Sequence, residues 1–331
     1  MTTYAGANGV SRLGAKNGVV GTEAEQKALF LKVFAGEVLT AFNTNNIGMG
    51  LHRVRTISSG KSAQFPLTGL STTATLVAGD ELVPTAINHN EKIIAVDDLL
   101  TSSAFVAKID EAMNHYDVRS IYSTEIGNAL AKAADQAIFK SVANASVGKD
   151  NANASLPQAD SSAASGATIE TGSATPSGSD VADKLFDALQ TLDSKNITGE
   201  RSIVVTPAVY YSLFKGTTAN QAGFMSSDFG SGGNANTGTV PMIGGAKVFM
   251  SNNLPTEATT GYNHGAGSAA DEDIQALVFT KDAAATVKLL DLGVESEYLI
   301  QNQGTLMVAK YAMGHDALRG ECAVRLVQGT A

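Results

Sequence analysis

Gly60-Lys61-Ser62 ends like a phosphate-binding P-loop, in which backbone amides and a lysine cradle a phosphate chain. The motif needs a glycine five residues before Gly60, and Arg55 stands there. The flanking residues read as extended, so no helix N-terminus is aimed at an anion. Gly230-Ser-Gly232-Gly-Asn-Ala235 has the spacing of a dinucleotide fingerprint in its alanine variant. That motif needs a strand before it and a helix after it, and here Gly238 and Pro241 follow. A Gly-rich loop explains the run better than a cofactor site.

Five histidines are candidates for metal or acid–base work: His52, His89, His115, His264 and His315. None lies near another in sequence, and none stands at metal spacing from Cys322, the one cysteine. His115 falls one turn after Glu111 and one before Arg119, a pattern of weak pairs on a solvated helix face or of a subunit contact. Cys322 can form no intrachain disulfide and reads as a small apolar residue buried in a strand. No Gly-x-Ser-x-Gly elbow is present. These residues argue for no enzyme, no cofactor and no metal.

Composition narrows the classes further. The 331 residues suffice for one large domain or two small ones. Hydrophobic residues make up 44% and charged residues 17%, an ordinary globular mixture. A net charge of −9 opposes sequence-general binding to phosphate backbones. No run of about 18 apolar residues offers a membrane span. Gly6, Gly9, Gly14, Gly18 and Gly21 break the first 22 residues, which lack the apolar core of a secretion signal.

The elements that would position these residues follow in order. Residues 1–27 read as an arm without periodicity. Leu29, Phe30, Val33, Phe34, Val38, Leu39 and Phe42 recur at helical spacing and predict a short amphipathic helix. Residues 51–98 read as a long, polar two-stranded arm of low apolar content, interrupted by Pro66, Gly69, Gly79 and Pro84. The bland alternative is a pair of strands within a larger sheet. Residues 104–144 predict a long helix with Tyr122, Ile126, Leu130, Ala133 and Ala137 on its apolar face. Residues 146–179 are Ala, Ser, Asn, Gly and Thr without an aromatic, and predict a surface insertion that builds no core. A helix at 181–192, strands at 203–206, 247–250 and 274–280, and a helix opened by Pro207 come next. Loops 216–239 and 256–273 separate them. Strand-like runs at 286–290 and 323–327 close the chain.

Four segments carry a resemblance. They are Ala28-Leu-Phe-Leu-Lys-Val-Phe-Ala-Gly-Glu-Val-Leu-Thr-Ala-Phe42, Ser58-Ser-Gly-Lys-Ser-Ala-Gln-Phe-Pro66, Ala112-Met-Asn-His-Tyr-Asp-Val-Arg119, and Ala309-Lys-Tyr-Ala-Met-Gly-His315 with Leu318 and Arg319. Together they resemble the major capsid proteins of T-seven-like short-tailed bacteriophages, in the same order. The resemblance implies an α+β, HK-ninety-seven-type capsid fold. It would have an N-terminal arm at 1–50 and an extended β-hairpin loop at 51–100. A peripheral domain with a spine helix and insertion loop would cover 101–179, an axial domain 180–280, and a return to the peripheral domain 281–331.

It also implies the partners: copies of the chain in an icosahedral shell of hexamers and pentamers, a scaffolding protein during assembly, a portal protein and decoration proteins. The shell would enclose double-stranded DNA without sequence-specific binding, in a virion assembled in the host bacterial cytoplasm, with no membrane. Candidate inter-subunit contacts are Phe30, Phe34, Arg53, Arg55, Lys61, Glu111, His115 and Arg119. Some relatives of this fold cross-link through a lysine in the extended loop. Around Lys61 the residues are small and polar and offer no desolvation to lower an amine's pKa, so an exposed ion pair and a noncovalent shell are expected. A cellular nanocompartment shell of the same fold is the alternative. A secreted fibre or adhesin module, suggested by the Gly/Ser/Asn-rich loops, comes after it.

Overall fold

A computed structural model describes residues 46–68, 89–113, 118–147, 166–171, 178–215, 242–256, 258–262 and 273–328, with single positions between 73 and 87. The expected helix at 29–42 and the glycine run at 230–235 lie outside the described residues. The chain forms two compact units. The first comprises residues 1–46, 98–133 and 290–313, and the second 47–97, 134–289 and 314–331.

In the first unit, strand β4 (Leu100–Ala107) pairs antiparallel with strand β11 (Gly304–Ala317), Gly304 opposite Ala107 and Tyr311 opposite Leu100. This corrects the expected start of the long helix at 104. Thr101, Ser102, Ser103, Phe105 and Val106 suit a pleated surface, and β11 supplies the backbone partners that a local helical pattern does not take into account. Helix begins only at α1 (Lys108–Met113) and continues in α2 (Val118–Val147), whose 30 residues run about 45 Å. A turn at Ile300–Asn302 follows strand β10 (Ala284–Leu299). There Gln303 takes a left-handed conformation (φ 48°). Its side-chain amide donates to the Ile300 carbonyl at 2.8 Å, and its backbone carbonyl accepts the Lys108 N–H at 3.0 Å.

The second unit is built on a six-stranded sheet. Its strand order is β5 (Ala167–Glu170), β12 (Ala323–Val327), β9 (Ile274–Thr280), β6 (Arg201–Val205), β8 (Ala246–Met250) and β7 (Met242–Ile243). Strand β9 is buried at every position, so the four apolar side chains Ala276–Phe279 follow one another instead of alternating with polar ones. Helices α3 (Gly178–Ser194) and α4 (Pro207–Lys215) bury Val181, Leu185, Leu192, Val209 and Leu213 in one of its cores. Pro207 opens α4 at the first position, where its missing N–H costs nothing.

The C-terminal half of α2 joins a second core through Ile138, Phe139, Val142 and Ala143, with Phe279 and Leu277. Of the expected apolar stripe, Ile126 and Leu130 are buried while Ala133 and Ala137 are half-buried, and the buried side continues through Ala134, Ile138 and Val142.

Residues 146–179 depart from expectation. The segment contains β5, which pairs in parallel with β12 from Ala167–Val324 to Glu170–Val327. Thr171 is buried and donates to Gln275 Oε1 at 2.8 Å. Low complexity hid a strand of only four residues, Ala-Thr-Ile-Glu, too short for a periodic signal.

Candidate functional site

The most distinctive element of the second unit is its two-stranded sheet. Strands β2 (Ser62–Thr68) and β3 (His89–Ala95) pair antiparallel from Ser62–Ala95 to Thr68–His89. Strand β2 alternates strictly, with Ala63, Phe65 and Leu67 buried and their neighbours exposed. The buried side chains meet Ile94, Ala285, Val287 and Leu318 in a third core. The loop therefore has an apolar face packed on its own chain, contrary to the expectation of a polar arm. Three inward residues on a seven-residue strand suffice for this, although the segment as a whole reads as polar. Lys92 pairs with Asp316 at 3.0 Å and fastens β3 to the end of β11. Gly314 lets the two approach, since a Cβ there would stand 1.9 Å from the Ala95 carbonyl oxygen.

Strand β1 (Arg53–Thr56) leads into this sheet but is not part of it, pairing in parallel with β10 from Arg53–Ala285 to Thr56–Lys288. Gly60 makes the turn to β2 with φ 105°, a conformation that favours glycine. Lys61 follows it with an exposed side chain, and its carbonyl accepts the Val96 N–H at 2.7 Å. Among the described residues no carboxylate pairs with Lys61.

Arg55 donates from Nη1 to the Gln64 carbonyl, and its guanidinium lies over the Phe65 ring, 5.8 Å from the centroid. Gln64 and Pro66 are two apart, so their backbone groups share the outward edge of β2. Pro66 has no N–H to offer there, and Arg55 occupies the Gln64 carbonyl. Together they close that edge to another strand. An open groove of about 470 Å³ lies beside them, lined by Arg55, Ile57, Gln64, Pro66 and Glu91.

The other candidate contacts divide. Arg53 pairs with Asp282 at 3.3 Å, both exposed. Glu111 lies in α1 and Arg119 in α2, with side chains outside the described residues, as are Phe30, Phe34 and His115 altogether.

The histidines hold a finding that sequence spacing did not reveal. His52 and His315 come together on one hydroxyl. His52 Nε2 is bonded to Thr286 Oγ1, and Thr286 Oγ1 lies 2.7 Å from His315 Nδ1. The two histidines sit at opposite ends of the described sequence, so no local pattern signals the pairing. Burial pushes both imidazoles below their ordinary pKa of 6.5, His315 to about 4. Cys322 is buried, and burial raises its thiol to about 11, which makes it a poor nucleophile. Among the described residues no cluster of three His, Cys, Asp or Glu side chains could hold a metal ion, and no helix is long and apolar enough to cross a membrane.

A chain with a two-stranded loop anchored on its own core has known counterparts. Residues 64–327 match the family model described as "Gp10A-like: Major capsid protein". The chain is 34% identical to the major capsid protein of Escherichia phage T7 over 324 residues, covering 92% of each. It is 31% identical to that of Enterobacteria phage T3 over 345 residues, covering 98% of each. Among solved structures, the capsid of Cyanophage P-SCSP1u is 39% identical, with a TM-score of 0.72 over 97% of this chain and 98% of that one. The mature capsid of bacteriophage PhiM1 shares the fold at 18% identity, with a TM-score of 0.69. The fold is thus the α+β, HK-ninety-seven-type capsid fold, and the chain belongs to the family of phage major capsid proteins.

Proposed function

We propose that copies of this chain assemble into the icosahedral shell of a tailed phage and enclose its double-stranded DNA, with a scaffolding protein guiding assembly and a portal at one vertex. The observation that carries the reading is coverage in both directions: 92% of the chain matches 92% of the T7 protein. A partial match would fit one shared domain; a match of whole chains fits a shared building block. Every relative named above is a phage capsid protein, which favours a genome-enclosing shell over a nanocompartment loaded with enzyme. The acidic net charge of −9 suits a container that must not hold its DNA by general phosphate binding.

In this reading residues 51–100 are the extended loop, 101–179 and 281–331 the peripheral domain and 180–280 the axial domain. Subunit contacts fall on Phe30 and Phe34 of the arm, on Lys61 at the loop's turn, and on Glu111, His115 and Arg119. Arg53 and Arg55 already have partners within the chain and act chiefly by holding the loop's root. Electron microscopy of the purified chain, co-expressed with its scaffolding protein, tests the proposal. Closed icosahedral particles are expected, and a chain with 69–88 deleted and bridged by a short Gly-Ser turn, which spares β2 and β3, should stay soluble and form none. Normal particles from that deletion would sink the role given to the loop.

A further inference from the structure

The bonding at His52 and His315 has a direction. His52 Nδ1 lies 2.7 Å from the Gly48 carbonyl oxygen, which can only accept. The proton of neutral His52 therefore sits on Nδ1, and its Nε2 must accept. Thr286 then donates its single hydroxyl proton to His52 Nε2, and the same oxygen accepts from His315 Nδ1–H. The chain runs His315 to Thr286 to His52 to Gly48, and it closes with both imidazoles neutral. A proton added to His52 Nε2 breaks it, because the Thr286 oxygen would then face two N–H donors and its own hydrogen would lose its acceptor.

Nothing described around the pair compensates such a charge. Lys288 of β10 disfavours it at both histidines, and Lys140 of α2 and His52 itself disfavour it at His315. Carboxylates around the pair are engaged elsewhere: Asp316 with Lys92, Asp282 with Arg53, Glu200, which shares a cavity with His52, with Lys247 and Lys281, and Asp135 with the backbone of the turn that holds Gly48.

We propose that His52, Thr286 and His315 form an acid-sensitive clasp that ties the segment leading into the extended loop to β10 and β11. The histidines lie at the loop's root, since β1 starts at Arg53, directly after His52. The direction follows from their titration. Burial holds His52 below 6.5 in the folded chain, so the clasp is at full strength above pH 6.5 and is lost as pH falls through the lower, folded value of His52.

The test uses the full-length chain in sedimented shells. Imidazole nitrogen shifts at neutral pH should show two of the five histidines with the proton on Nδ1, the minor tautomer of free histidine. Hydrogen-exchange protection of residues 47–56, corrected for intrinsic rates, should fall at least about ten-fold between neutral pH and about pH 4.5. Thr286→Ser keeps the hydroxyl and should keep that fall. Thr286→Val should lack protection at neutral pH and show no further fall. Protection of the wild type that is unchanged by acid, or fewer than two histidines with the proton on Nδ1, would overturn the proposal even if Thr286→Val does not fold.

Discussion

The buried carboxylate of Asp135 on α2 accepts the backbone N–H of Gly48 at 3.0 Å, and its second oxygen accepts that of Ile47 at 3.2 Å. One side chain thus satisfies the turn that precedes β1, a segment 87 residues away in sequence. Burial pushes the Asp135 carboxyl above its ordinary pKa, while bonds from Gly48, Ile47 and Asn253 pull it back. Asp135→Asn would set an amide NH₂ against a backbone N–H. We expect that substitution to cost about 1–3 kcal/mol in urea unfolding of the unassembled chain. Because folding raises this pKa, the carboxyl contributes most at acid pH and less as pH rises through its folded value. Asp135→Asn should therefore be less damaging at pH 7 relative to wild type than at pH 4.

Glycines separate close approach from mere flexibility. A Cβ at Gly314 meets the Ala95 carbonyl oxygen at 1.9 Å, and one at Gly166 meets the Ala323 carbonyl oxygen at 2.3 Å. Both are backbone atoms that cannot rotate away. Gly314→Ala and Gly166→Ala should each destabilise by about 1–3 kcal/mol or more. Gly127 on α2 has nothing within 4 Å of such a Cβ, so Gly127→Ala should stabilise the unassembled chain by up to about 1 kcal/mol. Melting temperatures of the three variants check the contrast.

The loop's anchor lies in apolar burial. Phe65→Ala removes a ring that is 4% exposed, and about 3–5 kcal/mol of stability should go with it. Lys61→Ala should leave stability within about 0.5 kcal/mol, since its side chain is exposed. Mature particles boiled in detergent should run as single 34.1 kDa chains, because an exposed amine next to small polar residues is not activated for an isopeptide bond. A ladder of oligomers that vanishes in Lys61→Ala would refute the noncovalent shell.

Residues 148–165 can be exchanged without touching β5. A short Gly-Ser linker in their place should leave shells in normal number, as counted on micrographs. Extending the replacement through Thr171 removes β5 and the bond from Thr171 to Gln275, and should reduce soluble yield sharply.

The sequence by itself determined the strong local elements. Pro207 marked the start of a helix, the apolar run Ala276–Phe279 marked β9, and the helical pattern after Val118 marked α2. It also carried family membership, because long ordered segments match relatives without any need to know what touches what. Tertiary structure alone decided the rest, because those outcomes depend on partners far along the chain. Leu100 to Ala107 became a strand because β11 offers backbone groups there. Ala-Thr-Ile-Glu became a strand because β12 does. Arg53 and Arg55 found partners within the chain in Asp282 and the Gln64 carbonyl. His52 and His315 met at Thr286 because β10, β11 and the turn before β1 converge, and hydrogen-bond direction is set by the atoms that meet, which no spacing along a chain encodes.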